Sequence, residues 1–436
     1  MVPATGWREL KAEGKRTMNL RSHATVVAMA WLAACGSGPS EPPLPAPSGG
    51  AGGTSAAGAS PAAGGSSGSA AQAGGAGMGG GAAAVAGSTG VAGSPNASGA
   101  ADSAGAGGAS AGAGGAGTCP AGSTQLSPWP GKAEVHTLDS EDAFESDLSG
   151  LTYEAPGVLW ATDNLSARLF RLLKSGASYA PDTSNGWASG KRLRYPNGKG
   201  TPDAEGVTLA ATSAAGVYVC AERDTDDPSV SRLSVLRYDV TAAGATLTAT
   251  HEWNLTALLP EVDANAGLEA VTWAADSLLT AHHFFDESKA RAYAPSDYGE
   301  HGAGLFLVGV EATGKVYAFA LNHGSGAATL VASISTPLAG VMGLELDRDT
   351  GSLWASCDDT CDNQSAVFGI DDALGRFVLE RRFRPPGGLP DSNNEGIALA
   401  PDAECSGGVK PFFWTDDAGA DGFSLREGSL ACGCLQ

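Results

Sequence analysis

Three glutamates precede similar strand-like segments at widely separated points of the chain. They are Glu205, Glu269 and Glu395, and each stands directly before a small residue that opens a run of alternating apolar positions. Equivalent positions of a radial repeat lie close together in space. Carboxylates crowded in this way repel one another unless a cation neutralises them or some bind protons. Because Ca²⁺ accepts many oxygen ligands in loose geometry, the pattern predicts a divalent-cation site for Ca²⁺.

Acidic residues at the ends of the following segments extend this prediction. A second strand-like segment follows each repeat after a turn, and four of these segments end in a carboxylate: Asp163, Glu222, Asp358 and Asp416. We predict that these four residues complete the ligand set of the three glutamates. A structural alternative stays open, in which each repeated glutamate caps backbone amides between adjacent units.

The third repeat departs from the acidic pattern, because His282-His283 stands where the other repeats carry Asp or Glu. An imidazole beside carboxylates suits a general base or a metal ligand. Together with Glu269 and the nearby Asp286, these histidines suggest a metal-dependent hydrolase of phosphoester, ester or lactone substrates. Adjacent strand residues point to opposite faces, so at most one of His282 and His283 would join the ring.

Five copies of the repeated unit define the elements that must position these side chains. The copies lie at 150–153, 206–209, 270–273, 343–346 and 396–399. The second segment of the third unit is 278–282, and nothing in the chain reads as a long amphipathic helix. Short strands in units of about 40 to 60 residues are typical of propeller blades.

The sequence therefore predicts an all-β protein, a β-propeller with five blades. A sixth blade without the motif would fit the long interval between Ala270 and Gly343. The segment 133–138 would supply the strand that closes the ring against the last blade.

The repeat also carries a resemblance to known families. The motifs Asp203-Ala204-Glu205-Gly206-Val207 and Asn394-Glu395-Gly396-Ile397 resemble those of the esterase-like activity of phytase family and of the SdiA-regulated family. The resemblance spans about 147–417. It implies a propeller fold and an extracytoplasmic setting more firmly than any reaction.

Eight cysteines divide into one predicted lipid attachment site and seven others. Cys357 and Cys361 enclose three residues, which favours a local disulfide. Cys119, Cys405, Cys432 and Cys434 lie at the two ends of the domain, where disulfides would tie its termini together. Seven cysteines leave one without a disulfide partner. We expect Cys220 to be this free thiol, because the pattern of 216–220 predicts a buried strand. A zinc site at Cys405, Cys432 and Cys434 is a competing interpretation with poor spacing.

The N-terminal region is typical of an exported lipoprotein. A basic segment that can begin at Met18 precedes an apolar run at 24–32, which is too short to span a bilayer. The sequence Leu32-Ala33-Ala34-Cys35 that follows resembles a bacterial lipobox. We therefore expect a signal peptide at 1–34, lipidation of Cys35, a disordered Gly/Ala/Ser-rich linker at 35–118 and one domain at 119–436.

The formal net charge of −21 arises entirely after residue 118 and limits the possible partners. An acidic surface repels phosphodiester backbones, so no nucleic acid is expected. We expect a monomer in the cell envelope, held on the membrane by its lipid outside the cytoplasm. Two functional hypotheses remain: a binding module for a small molecule, a polymer or an envelope protein, and the metal-dependent hydrolase.

Overall fold

The computed structural model describes residues 124–144 and 148–433, and within them the chain is almost entirely β-structure. The predicted signal peptide, Cys35, the linker, Cys119 and Cys434 lie outside the described residues. Among the described residues, no helix has the length and apolar character needed to cross a membrane.

Four-stranded or larger antiparallel sheets follow one another along the chain. Two short strands, β1 (Leu126–Ser127) and β2 (His136–Thr137), precede the first sheet. The first sheet contains β3 (Leu151–Ala155), β4 (Val158–Asp163), β5 (Arg168–Ser175), β6 (Ser178–Pro181) and β7 (Lys191–Arg194). The second contains β8 (Pro202–Leu209), β9 (Val217–Asp224), β10 (Ser231–Tyr238) and β12 (His251–Asn254), while β11 (Thr246–Thr248) returns to pair with β7.

The remaining sheets follow the same plan. The third contains β13 (Leu268–Ala275), β16 (Gly304–Val310), β17 (Lys315–Leu321) and β18 (Ala328–Ser335). Between its first two strands lie the helix α1 (Asp276–Ala281) and a hairpin of β14 (Phe285–Asp286) and β15 (Arg291–Ala292). The fourth contains β19 (Gly343–Leu346), β20 (Leu353–Ser356), β21 (Ser365–Asp371) and β22 (Arg376–Phe383), and the fifth β23 (Ile397–Leu399), β24 (Val409–Thr415) and β25 (Leu425–Ala431).

The five sheets are the blades of a β-propeller, as the repeat predicts. The first strand of each blade contacts the first strand of the next, and β23 of the fifth blade contacts β3 of the first. These inner strands contain the five repeated motifs, whose residues line the central channel. The interval between Ala270 and Gly343 holds the rest of the third blade, α1 and the hairpin, so the described residues form five blades.

The N-terminal strands hold the ring closed. The strand β2 lies within the predicted 133–138 segment and pairs with β25, and β1 pairs in parallel with β22 of the fourth blade. Between them, the ring of Trp129 contacts Trp354 and Trp414. The segment therefore crosses the outer edges of two blades and packs against aromatic side chains of both.

Small residues open the repeats because the inner strands pack backbone to backbone. A Cβ atom on Gly150 would collide with the carbonyl oxygen of Glu205, and one on Gly396 with that of Ser149. A Cβ on Gly343 would likewise collide with the carbonyl oxygen of Glu395 in the next blade. Close packing of the channel wall therefore requires a small residue at the start of each repeat.

A polar side chain on the second strand joins neighbouring blades. Thr162 Oγ1 accepts from the backbone amide of Gly150 (2.9 Å) and donates to the carbonyl oxygen of Glu205 (2.5 Å) in the next blade. Thr415 makes the equivalent pair of bonds with Gly396 and Ser149. The position is filled by a cysteine, Cys220, in the second blade.

Cys220 is buried and free, as predicted. Its Sγ accepts from the amide of Gly206 (3.1 Å) and lies 3.7 Å from the carbonyl oxygen of Leu268. The thiol therefore takes the place of a threonine hydroxyl. Disulfides join Cys357 to Cys361, as predicted, and Cys405 to Cys432 among the predicted terminal cysteines.

The prediction that 278–282 forms the second strand of the third unit is wrong. Asp276–Ala281 is the helix α1, which buries Leu279, and His282 follows as its C-terminal cap. The second strand of this blade is β16, a fully buried apolar segment. A short apolar run such as Leu278-Leu279 fits a helical turn as well as a strand, which explains the error.

Candidate metal centre at the channel mouth

Three of the predicted ligands converge at one end of the channel. Carboxylate oxygens of Glu205, Glu269 and Glu395 lie within 4.8 Å of one another, and all three residues are buried. Glu205 belongs to β8, Glu269 to β13, and Glu395 stands just before β23. Because the three inner strands enter the channel in the same direction, equivalent positions meet at the same mouth.

The other two blades place Ser149 and Met342 at the equivalent positions. Ser149 Oγ donates a hydrogen bond of 2.8 Å to Glu205 Oε2, and Asn164 Nδ2 lies 3.3 Å from the same oxygen. Met342 is buried and lines the channel. The mouth is therefore ringed by three carboxylates, a hydroxyl and a thioether.

A second acidic group shares Glu205 with the first. Oxygens of Asp203, Glu205 and Glu222 lie within 4.8 Å of one another. Arg223 compensates part of this charge, since its Nε lies 2.6 Å from Asp203 Oδ2 and a terminal nitrogen 3.6 Å from Glu222 Oε1. Glu222 Oε2 also accepts from the backbone amide of Gly267 (3.0 Å). Glu222 thus performs the amide capping that the structural alternative assigned to the repeated glutamates.

Asp203 was not among the predicted ligands. It stands two residues before Glu205, and residues so spaced on a strand share a face. The strand β8 is irregular here, with shifts in register between Pro202 and Ala204 and again before Val207. The spacing of the two carboxylates is the sequence signal that identifies Asp203.

The remaining predicted acidic ligands have local partners. Asp163 accepts from the amide and hydroxyl of Ser166 (2.9 and 2.7 Å). Asp358 accepts from the amide and hydroxyl of Thr360 (3.1 and 2.5 Å). Asp416 binds Arg426 at 2.8 Å. The three aspartates stabilise the turns and strands around them, and the structure does not bring them into the glutamate cluster.

His282 and His283 lie away from the glutamates. His282 Nδ1 is 2.8 Å from Asp372 Oδ1 in an exposed pair, and the backbone of His283 lies against Gly375. Glu269 is near the start of β13 and α1 follows its end. At about 3.3 Å per residue, the part of β13 between Glu269 and the start of α1 is roughly 20 Å long, and both histidines come after α1. His282 and His283 therefore do not join the ring, because the chain forms the helix α1 where a second strand was expected.

Burial and mutual repulsion govern the charge of the centre. Burial raises the pKa of Glu205, Glu269 and Glu395 well above the ordinary range, and neighbouring carboxylates raise it further. Burial also raises the pKa of Glu222 to about 7. Such a group of carboxyls holds protons at neutral pH unless a cation replaces them.

One oxygen of the cluster has no hydrogen-bond partner among the described residues. Glu395 is 8% exposed, and its Oε1 accepts from Asn393 Nδ2 at 2.9 Å. Its Oε2 is buried and unpaired. An unsatisfied buried carboxylate oxygen is costly. A ligand between the three glutamates would satisfy it.

The fold and the centre define the chain as a β-propeller with an acidic channel mouth. No protein-family model matches the sequence, and no curated protein does either. Membership of the esterase-like activity of phytase family or of the SdiA-regulated family therefore stays a prediction.

Structural comparison finds low similarity to several solved proteins. An aldose sugar dehydrogenase of Streptomyces coelicolor, solved with bound PQQ, is 13% identical over 65% of this chain and 78% of its own, with a TM-score of 0.32. A candidate 6-phosphogluconolactonase of Bacteroides uniformis is 13% identical over 64% and 69%, with a TM-score of 0.31. A candidate gluconolactonase is 15% identical over 65% and 74%, with a TM-score of 0.33.

Proposed function

We propose that this chain is a cation-dependent binding module, a propeller that holds Ca²⁺ between Glu205, Glu269 and Glu395 and presents this face to a ligand. The convergence of three buried glutamates from three blades carries the proposal. Nothing in propeller architecture requires these charges, because the first and fourth blades close the same ring with Ser149 and Met342.

The charge balance supports a bound cation. Five carboxyls are almost fully buried around the mouth, and Arg223 contacts two of them, Asp203 and Glu222. Burying uncompensated charge is strongly unfavourable. A divalent cation supplies the missing positive charge and gives Glu395 Oε2 a partner.

The spacing of the oxygens suits calcium. Ca²⁺ binds oxygens at about 2.3 to 2.6 Å, so two oxygens on opposite sides of the ion are about 5 Å apart. The three glutamates offer oxygens within 4.8 Å of one another. Small side-chain adjustments would bring all three into contact with one ion.

The hydrolase hypothesis would use the same centre with a different base. With His282 and His283 placed after α1, beyond the far end of β13 from Glu269, Glu222 becomes the candidate, because its pKa of about 7 suits a general base at neutral pH. Chromogenic phosphate, acetate and lactone substrates with and without Ca²⁺ test this hypothesis. Turnover that needs Ca²⁺ and disappears in Glu222→Gln would establish an enzyme, and no turnover leaves the binding module.

The proposal includes the cellular setting. A lipid on Cys35 and a linker of about 80 residues, with a root-mean-square span of about 50 Å, would hold the propeller near a membrane surface, outside the cytoplasm. Extracellular modules commonly bind Ca²⁺ with low affinity, so the site need not be a tight one. Labelling with a radioactive fatty acid, lost in Cys35→Ser, tests the anchor.

Calorimetric titration of Ca²⁺ into the chelator-treated full chain tests the centre. We expect one equivalent to bind, and Glu269→Gln and Glu395→Gln to weaken binding at least tenfold. Glu261→Gln is the matched control, because Glu261 is exposed and outside the cluster. Absence of binding heat together with an unchanged melting temperature in Ca²⁺ would overturn the proposal.

A further inference from the structure

A second pocket lies at the opposite end of the inner strands. Its walls come from β3, from the end of β19 and its following turn, and from the residues that end and follow β23. Its cavity volume is about 140 Å³. A cavity of about 150 Å³ holds a molecule as small as benzene, so this pocket suits only a small ligand.

The floor of this pocket is a buried glutamate, Glu345. It occupies the position three residues after the ring position of its blade, where other blades carry Thr152, Thr208 and Thr272. Its Oε2 accepts from Thr152 Oγ1 at 3.3 Å, between two blades that are not neighbours in the ring. Glu345 therefore points into the channel, where it is 5% exposed.

This layer of the channel has unused hydrogen-bonding capacity. Thr272 Oγ1 accepts from the amide of Leu346 at 3.2 Å, whereas the buried Thr208 Oγ1 has no partner among the described residues. Glu345 receives a single hydrogen bond from Thr152. Burial raises the pKa of Glu345 to about 8, so the carboxyl is largely protonated at neutral pH.

The other charged groups of the pocket have contacts of their own. Arg348 donates to the carbonyl oxygens of Leu209 and Ala211, both at 2.9 Å, and its positive charge partly opposes the effect of burial on the pKa of Glu345. Asp347 binds the buried Lys410 at 2.9 Å. Asp349 is exposed and its Oδ2 accepts from a backbone amide at 2.6 Å, and Glu154 Oε2 accepts from Trp160 Nε1 at 2.9 Å. Among the described residues, Glu345 is the buried carboxyl of this lining that has no salt bridge.

We propose that this pocket binds a small organic cation, a primary ammonium ion with a short apolar body, whose charged end pairs with Glu345. Leu346, Leu399 and Pro401 provide apolar walls for the body, and the ring of Tyr153 lies in the lining. Aromatic rings and carboxylates together favour ammonium groups. The acidic lining disfavours anions.

Binding changes the protonation of Glu345. The ammonium ion arrives already charged, the O–H bond of the carboxyl breaks, and one proton passes to solvent as the ion pair forms. This site does not depend on the proposed Ca²⁺ centre at the other mouth. The two proposals can therefore fail separately.

Titration of n-butylammonium chloride into the full chain at pH 7, in two buffers of different ionisation enthalpy, tests this proposal. We expect saturable binding with release of close to one proton per site. Glu345→Gln, which keeps the shape of the side chain, should weaken binding at least tenfold and abolish the proton release. Glu261→Gln should change neither quantity, and Ca²⁺ binding should be unaltered in Glu345→Gln.

A neutral probe distinguishes recognition of the ligand's charge from simple filling of the pocket by an apolar group. If n-butanol binds as tightly as n-butylammonium, or if binding releases no proton, the proposal is wrong. Unchanged affinity in a Glu345→Gln protein that melts cooperatively would also overturn it, as would no binding to the unaltered chain. The comparison of n-butanol with n-butylammonium on the unaltered chain tests the proposal even if the Glu345→Gln variant fails to fold.

Discussion

At the residue scale, a single side chain can serve two blades at once. Thr162, Cys220 and Thr415 each receive an amide hydrogen from the inner strand of their own blade and reach toward a carbonyl oxygen of the next. The hydroxyl or thiol therefore satisfies backbone groups at a joint where no strand ladder can do so. Cys220 owes its burial to this role, which explains why a free thiol is retained in the core.

Substitution at Cys220 tests this role. Cys220→Thr should leave the free energy of unfolding within about 1 kcal/mol of wild type, because threonine fills the equivalent position in two other blades. Cys220→Ala should cost about 1 to 3 kcal/mol, since the buried amide of Gly206 loses its acceptor. Chemical denaturation measures both. Equal stability of the two variants would contradict the bridging role.

The pH dependence of stability tests the raised pKa values. The folded state binds protons at Glu205, Glu222, Glu269 and Glu395 that the unfolded chain releases near its ordinary pKa of 4.5. Stability from these protons is complete below about pH 4.5 and is lost as the pH rises through the folded values, about 7 for Glu222. The melting temperature of the calcium-free protein should therefore fall between pH 5 and 8.

Calcium provides the control for this titration. The ion favours the ionised carboxylates, so its stabilising effect should grow as the pH rises over the same interval. Thermal melts in chelator and in excess Ca²⁺ give both curves. A calcium-free protein that becomes more stable from pH 5 to 8 would contradict the assigned direction of the pKa shifts.

The structure brings predicted ligands together where the repeat is regular. Glu205, Glu269 and Glu395 could be placed together from sequence because equivalent positions of a ring converge. Asp163 and Asp416 stand at strand ends in the same way, but the turns that follow them supply nearer partners. Sequence shows that a carboxylate stands at a strand end, but it does not show which donors the next turn provides.

At the element scale, the smallest residue of the repeat determines how closely the inner strands of adjacent blades approach each other. Gly150, Gly206, Gly343 and Gly396 each lie against the backbone of the neighbouring blade, and the third blade has Ala270 at this position. The distance between blades, and with it the spacing of the glutamates, depends on these close approaches.

Substitution at Gly396 tests the close packing. A Cβ there would meet Thr415 Oγ1 and the backbone of Ser149, so Gly396→Ala should cost about 1 to 3 kcal/mol and weaken Ca²⁺ binding by shifting Glu395. Gly299→Ala is the matched control, because its nearest atom would be 3.6 Å away. Equal stability of the two variants would show that the inner strands tolerate separation.

The positions of the inner strands could be predicted from alternating apolar residues, whereas the insertion in the third blade could not. The segment 276–301 forms α1, a hairpin and a turn held by local polar contacts, such as those of His301 with Asp276 (3.0 Å) and of Tyr298 with Asp286 (2.5 Å). Such contacts leave no periodic signal. The misplacement of His282 follows directly from this.

At the scale of the whole molecule, the propeller separates two chemical environments along one channel. One mouth gathers five buried carboxyls around Glu205, and the other has the buried Glu345 in a pocket lined by both charged and apolar residues. A domain tethered as proposed would meet ions and small molecules outside the cytoplasm. The strong negative charge favours cations at both ends.

We propose that Glu205, Glu269 and Glu395 hold one Ca²⁺ ion, and anomalous diffraction from crystals of the calcium-loaded protein would locate it. We expect one peak at the channel mouth, about 2.3 to 2.6 Å from an oxygen of each glutamate. Carboxyls hydrogen-bonded to one another, with no anomalous peak between them in saturating Ca²⁺, would overturn the proposed site.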